Sequence, residues 1–292
     1  MRLAAYLDQR ANQRPFVPVR RAFVELMDEV VRRDKPVPPL AELVRGGRGG
    51  SVRLRLLLSM PWIGSAPPHD VTMPGRVWAT LLGLEDPEGA GARRVADAVR
   101  WLQKRGYIEV LSNTGKPNTL RLLSEAGARE PYELPGAAYN RLRDQPGEAN
   151  AHLYVRLPSA LWTSGWMSVL SPPAVAMLLV LFVQVGRAAG SQADFTTPVW
   201  IAPSYAKDKF ALSEETRGRG LRELQRAGLV TVQRRELDPS DFLSVRRYRN
   251  VYQLVPAKFD ERAVIPPEVR ADPEIAAVTT RAGRQGDSTP VP

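Results

Sequence analysis

The 292-residue chain has no cysteine and only two histidines. Without thiols there is no disulfide framework, no thiolate metal site and no sulfur nucleophile. His69 and His152 stand 83 positions apart with no carboxylate at ligand spacing, so histidine-based chemistry, metal and cofactor are not expected. Apolar runs are short. The most apolar, Ala174–Val183 (AVAMLLVLFV), is about half of the ~20 residues a membrane-spanning helix needs and reads as a buried core helix. Arg2, Asp8, Arg10 and Arg14 interrupt the N-terminus, which lacks the apolar centre of a secretion signal. Paired carboxylates at a motif spacing and a Gly-x-Ser-x-Gly elbow are missing. The Gly46–Gly50 run lacks the Gly-Lys-Ser/Thr of a phosphate-binding loop and reads as a connector. A non-enzymatic, cytoplasmic protein without membrane attachment is expected.

Positive charge is what the chain has in excess: 41 Lys+Arg against 31 Asp+Glu, a net charge of +10. Such a surplus points to a polyanionic partner, of which nucleic acid is the commonest. Hydrophobic residues at 43% and charged residues at 25% are ordinary globular usage, and the length allows two modest domains. The excess is uneven. Residues 1–60 hold 12 basic and 6 acidic residues, 61–150 hold 11 of each, and 201–260 hold 12 and 8.

Pro18–Arg33 places Phe23, Leu26, Met27, Val30 and Val31 on one helical face, which predicts a helix and offers a homodimer contact. Helices follow at Val52–Trp62, Arg76–Leu84 and Ala92–Arg105, with an extended piece at Asp70–Met73. Strands at Tyr107–Ser112 and Thr119–Leu123 flank a turn. Residues 125–150, with scattered prolines and glycines, read as a linker. The pattern then returns: an apolar helix at Ser171–Val185, an extended Phe195–Ile201, helices at Pro203–Phe210 and Ser213–Ala227, and a hairpin of Leu229–Arg235 with Arg247–Val255. Arg94–Val110 aligns without a gap on Thr216–Val232, with five identities in 17: Arg100/Arg222, Leu102/Leu224, Gln103/Gln225, Gly106/Gly228 and Val110/Val232. The leucines suit a core face and the glycine a helix stop, so a repeated supersecondary unit is expected.

Three helices running into a two-stranded hairpin is the element order of a winged helix. The stretch Leu212–Val230 (LSEETRGRGLRELQRAGLV) resembles the recognition helix and first wing strand of MarR- and GntR-type winged-helix regulators. The tandem architecture resembles plasmid replication initiators and regulators of actinobacterial mobile elements. The expected fold is therefore mostly α with small β-hairpin wings (α+β). Its domains would be an N-terminal helical extension (1–50), a winged helix (51–124), a linker (125–150), a second winged helix (151–258) and a disordered tail (259–292). The first unit departs from the resemblance: Arg93 and Arg94 stand where small hydroxyl residues are usual, and Asp97 replaces the counterpart of Arg219.

The resemblance implies that each recognition helix enters a major groove with the face opposite its core contacts. In the first unit that face carries Arg93, Asp97, Arg100 and Lys104, with Arg94 beside the helix start and Lys116 at the wing tip. In the second, Thr216, Arg217 and Arg219 are placed to read bases and Arg222 and Arg226 to hold phosphates, since residues near the helix start reach furthest into the groove. The second wing adds Arg234, Arg235, Arg246, Arg247 and Arg249. The tryptophans are expected in core packing, except Trp101, which the helical wheel turns outward. The expected partner is double-stranded DNA, bound site-specifically by a nucleoid-associated transcription regulator. A replication initiator and a winged-helix protein–protein adaptor are the alternatives.

Overall fold

The computed structural model describes residues 2–27, 37–45, 49–189, 195–237 and 247–264. The architecture is α+β, with helices interspersed with antiparallel sheets of two or three strands. The chain opens with α1 (Arg2–Arg10), β1 (Phe16–Arg20), α2 (Arg21–Val24) and α3 (Pro39–Arg45). The helix expected over Pro18–Arg33 is therefore corrected. Phe16-Val-Pro-Val-Arg alternates, with Val17 and Val19 buried and Phe16 and Pro18 turned outward, a period of two that defines a strand. Only Arg21–Val24 turns helical within the described part of that segment, and residues 28–33 lie outside it. Phe23, expected on the face offered for a dimer contact, is buried in the chain's own core, as is Val24 beside it.

The middle of the chain is α4 (Gly50–Ile63), β2 (Asp70–Thr72), α5 (Gly75–Leu81), α6 (Ala90–Arg105), β3 (Ile108–Leu111) and β4 (Thr119–Leu122). These strands form one sheet in the order β2-β4-β3, with Val71 and Val110 flanking Leu120. The segment expected as a linker carries α7 (Pro135–Arg141) and α8 (Pro146–Asn150) and is fastened to β1. Arg20 donates to Glu125 (2.6 Å), to the Glu133 carbonyl (2.7 Å) and to Nδ1 of His152 (3.2 Å). Both Arg20 and Glu125 are buried, and a charge taken from water needs a partner of this kind.

The remainder is β5 (Tyr154–Pro158), α9 (Ala160–Thr163), α10 (Trp166–Val169), α11 (Pro172–Ala189), α12 (Pro203–Phe210), α13 (Glu214–Arg226), β6 (Val230–Glu236), β7 (Tyr248–Leu254) and α14 (Pro256–Asp260). Strand β5 pairs with β1, Val155 opposite Val19. Strand β6 pairs with β7, and Val199 bridges Tyr252 on the far side of β7. The order helix, extended piece, two helices, hairpin thus occurs twice, and both times the extended piece lies against the second hairpin strand. The aligned glycines match as well. Gly106 after α6 and Gly228 after α13 both adopt left-handed φ, +78° and +74°, the conformation that ends a helix at the least steric cost.

The two units do not have separate cores. One connected cluster runs from Ala4 to Phe259. Every residue of Ala174–Val183 is buried, as a helix apolar on all sides requires, and α11 packs on α2, α3, α4, β5 and α13. Trp62 of α4 stacks on Trp162 of α9 at 5.6 Å, and the Trp162 indole donates to Ser59 of α4 (2.9 Å). Among the described residues no helix is long and apolar enough to cross a membrane. The disordered tail expected from residue 259 is corrected at its start, since Phe259 lies in the short helix α14 and is buried in the core; residues beyond 264 lie outside the described residues.

Helix α13 meets α11 closely at Gly220, where an added Cβ would lie 2.2 Å from the Pro173 carbonyl oxygen. Gly220→Ala is expected to lower the denaturation midpoint, by about 1–3 kcal/mol of stability for a forced backbone shift. Gly218→Ala is the contrast. Its Cβ would meet only the flexible end of Arg222 at 3.3 Å, so replacing a mid-helix glycine should leave stability unchanged or raise it by up to about 1 kcal/mol. Equal losses in both variants would refute the close approach.

His152 gives a second test. Burial first, and then the Arg20 guanidinium, hold its imidazole below the ordinary value of 6.5. Below about pH 6.5 the unfolded chain therefore takes up a proton that the folded chain resists, and stability falls as pH drops toward the depressed value. Denaturant titrations at neutral and mildly acidic pH should show a smaller acid loss in His152→Gln than in the parent; an equal loss would remove His152 as a contributor.

Candidate nucleic-acid interface

Helix α13 begins where Ser213 caps it, its hydroxyl accepting from the Thr216 amide at 3.1 Å, while Glu214 and Glu215 complement the positive helix end. Gly220, Glu223 and Leu224 face the core. The other face carries the arginines, at two depths. Arg222 and Arg226 are exposed, whereas Thr216, Arg217 and Arg219 are half-buried. The Thr216 hydroxyl shares a hydrogen bond with Ser213, Arg217 donates to the Pro203 carbonyl at the start of α12 (3.3 Å), and Arg219 lies 3.7 Å from Glu215. The Nε atoms of Arg217 and Arg219 are enclosed without a hydrogen-bond partner.

The β6–β7 hairpin extends this basic surface. Arg234 lies 4.3 Å over the Tyr248 ring, and Arg249 lies 4.8 Å over Trp200. Arg235 stands directly opposite Arg249 in the ladder, an arrangement of like charges that weakens a sheet. Arg247 is exposed at the start of the returning strand, and Arg246 lies outside the described residues.

The first unit places its expected residues similarly but commits more of its charge internally. Val95, Ala98 and Leu102 of α6 are buried, leaving Arg93, Arg94, Asp97, Arg100 and Lys104 exposed. Arg100 pairs with Asp97 on the same helix, and Arg105 pairs with Glu42 at 2.6 Å. In the hairpin, Arg121 lies between Asp70 (2.9 Å) and Glu109 (3.4 Å), which leaves Lys116 as the cation at the turn. Trp101 is not turned out to solvent as the helical wheel implied. It is half-buried, with Arg53 of α4 4.6 Å over its ring and Tyr107 stacked at 6.2 Å.

Two features of this surface lacked a sequence signal. Trp200, expected in packing, is 48% exposed. Arg55, one arginine among many in a helix, joins the two units. It donates to the Leu82 carbonyl after α5 (3.1 Å) and to the Leu170 carbonyl before α11 (2.6 Å), with its Nε enclosed. Burial lowers its pKa to about 10, opposed by attraction to Glu223 of α13 and reinforced by repulsion from Arg94 of α6. Glu223 in turn accepts from the Ser171 amide (2.8 Å) and hydroxyl. A charged group thus sits between the two arginine-bearing helices, α6 and α13. No protein family, curated protein or solved structure matches the chain.

Replacing Arg55 by Met keeps the volume but strands two carbonyl oxygens. A stability loss of about 1–3 kcal/mol is expected in denaturant unfolding, with Arg55→Lys recovering part of it. Unchanged unfolding of Arg55→Met would show that the joint contributes nothing.

Proposed function

We propose that the chain is a tandem winged-helix protein that binds double-stranded DNA site-specifically and regulates transcription by occupying its site, without catalysing a reaction. The observation that carries this reading is the basic surface of the second unit, where α13 and the β6–β7 hairpin bring arginines together on a repeated helix–helix–hairpin frame. Arg222 and Arg226 have the exposure that phosphate contacts require. Thr216, Arg217 and Arg219 occupy the first turns of α13, the part of a recognition helix that reaches base edges. Partial enclosure limits the rotamers of Arg217 and Arg219, which favours directional, bidentate donation to guanine over diffuse attraction. The like-charged Arg235 and Arg249 fit the same reading, since a polyanion on the hairpin would relieve their repulsion.

The first unit supplies a second, weaker contact in this reading, through Arg93, Arg94, Lys104 and Lys116. The shared core holds the two units in one body, so a single chain presents both helices and needs no dimer to do so. Such a protein would act in the cytoplasm, on the nucleoid.

The test is binding to fragmented genomic DNA, followed by mapping of the protected sites. Promoter-associated sites are expected for a regulator; repeated sites confined to an origin would replace the regulator with an initiator. Arg219→Ala together with Arg222→Ala should weaken specific binding, each lost base contact costing about 1–3 kcal/mol and each phosphate contact lowering the salt slope by about one. Undiminished binding by the double variant would overturn the assignment of α13 as the reading helix.

A further inference from the structure

Alternation along the second hairpin sorts its side chains onto two faces. Val230, Val232, Tyr252 and Leu254 belong to the face that packs on the core. Gln233, Arg235, Arg249 and Val251 belong to the other. Val251 is buried at 6% exposure, yet it stands outside the connected core cluster. The Val199–Tyr252 bridge puts Trp200 level with Val251 at the edge of the outer face, where the residue remains 48% exposed. The outer face is therefore a small sheet surface with an exposed indole, the Arg249 guanidinium 4.8 Å over its ring, and Arg235 directly across the ladder. Arg235 also donates to Gln233 (3.2 Å), which holds its guanidinium along the strand. Among the described residues this face carries no carboxylate.

We propose that this outer face binds unpaired nucleotides, with one base stacked on Trp200 and the adjoining phosphates held by Arg235 and Arg249. Charge complementarity selects a polyanion, and the indole selects the form of it. In a paired duplex the base faces are closed to one another, so an indole meets only sugar and phosphate edges. An unpaired strand exposes a π-face at every nucleotide, which an aromatic ring flanked by arginine accepts whatever the base. The occupant is thus single-stranded nucleic acid, not an acidic polypeptide. The proposal extends the DNA reading to a strand opened near the site, and its test separates the two.

The probe is a fluorescein-labelled oligo-dT, compared by anisotropy with a fully paired duplex. Wild-type protein should bind oligo-dT with quenching of the exposed tryptophan fluorescence. Trp200→Leu keeps an apolar side chain at this edge; it should weaken oligo-dT binding about tenfold and abolish the quench, a clearly larger loss than it causes for the duplex. Trp200→Phe retains a stacking ring and should restore most of the affinity, which also separates a lost base contact from a damaged fold. The proposal fails if oligo-dT does not bind, if Trp200→Leu weakens both ligands equally, or if poly-glutamate displaces oligo-dT as well as unlabelled oligo-dT does. Trp200-dependent oligo-dT binding without duplex binding would uphold it and overturn the duplex reading instead; duplex binding alone would do the reverse.

Discussion

The structure depends on burying α11. Ten consecutive apolar residues, Ala174–Val183, cannot be satisfied by one neighbour, because a helix apolar on every side exposes surface wherever it is left uncovered. Within its own unit α11 is covered by α13, and the remaining sides are closed by α2, α3, α4 and β5. The need to cover one helix thus draws in the N-terminal segment and the first unit. It accounts for a single core from Ala4 to Phe259 where the sequence repeat suggested two.

Fusing two units brings charged groups into contact with apolar surface, and each is met by a partner. Arg20 is held by Glu125 and the Glu133 carbonyl, Glu25 by Arg21 (2.8 Å) and Arg187 (3.0 Å), and Arg55 by two carbonyls with Glu223 nearby. Apolar packing tolerates sliding, whereas directional hydrogen bonds do not. These contacts therefore define how the segments sit. At Arg55 the fixed relation is between the turn after α5 and the start of α11, close to the two arginine-bearing helices.

Much of this was legible from residue spacing. The boundaries of α6, α12, α13 and the two hairpins follow from apolar periodicity, the Ser213 cap and the Gly106 and Gly228 stops, all of which act within a few residues of sequence. The N-terminal strand was not. Its Val17/Val19 alternation spans five residues and runs directly into Phe23 and Val24, so a helical period fitted to the later positions absorbed it. What decides for the strand is its pairing with β5, a partner remote in sequence. Arg55 and Trp200 escaped for the same reason. Their places arise from the Leu170 carbonyl and from the Val199–Tyr252 bridge with Arg249, which only the folded chain brings to them.

The charge distribution then acquires a physical meaning that the total of +10 lacks. Both units share a frame, but in the first the arginines close on carboxylates: Arg100 on Asp97, Arg105 on Glu42, Arg121 on Asp70 and Glu109. In the second, Arg234 and Arg249 lie over aromatic rings and Arg235 faces Arg249. Pairing with a carboxylate neutralises a guanidinium locally. Stacking on a ring orients it while leaving its charge and in-plane donors available. Among the described residues, the second hairpin sets Arg235 opposite Arg249 where the first sets Glu109 opposite Arg121. A bound anion would relieve the repulsion between Arg235 and Arg249, and this asymmetry is what supports the proposal that the second unit makes the main nucleic-acid contact and the first a weaker one.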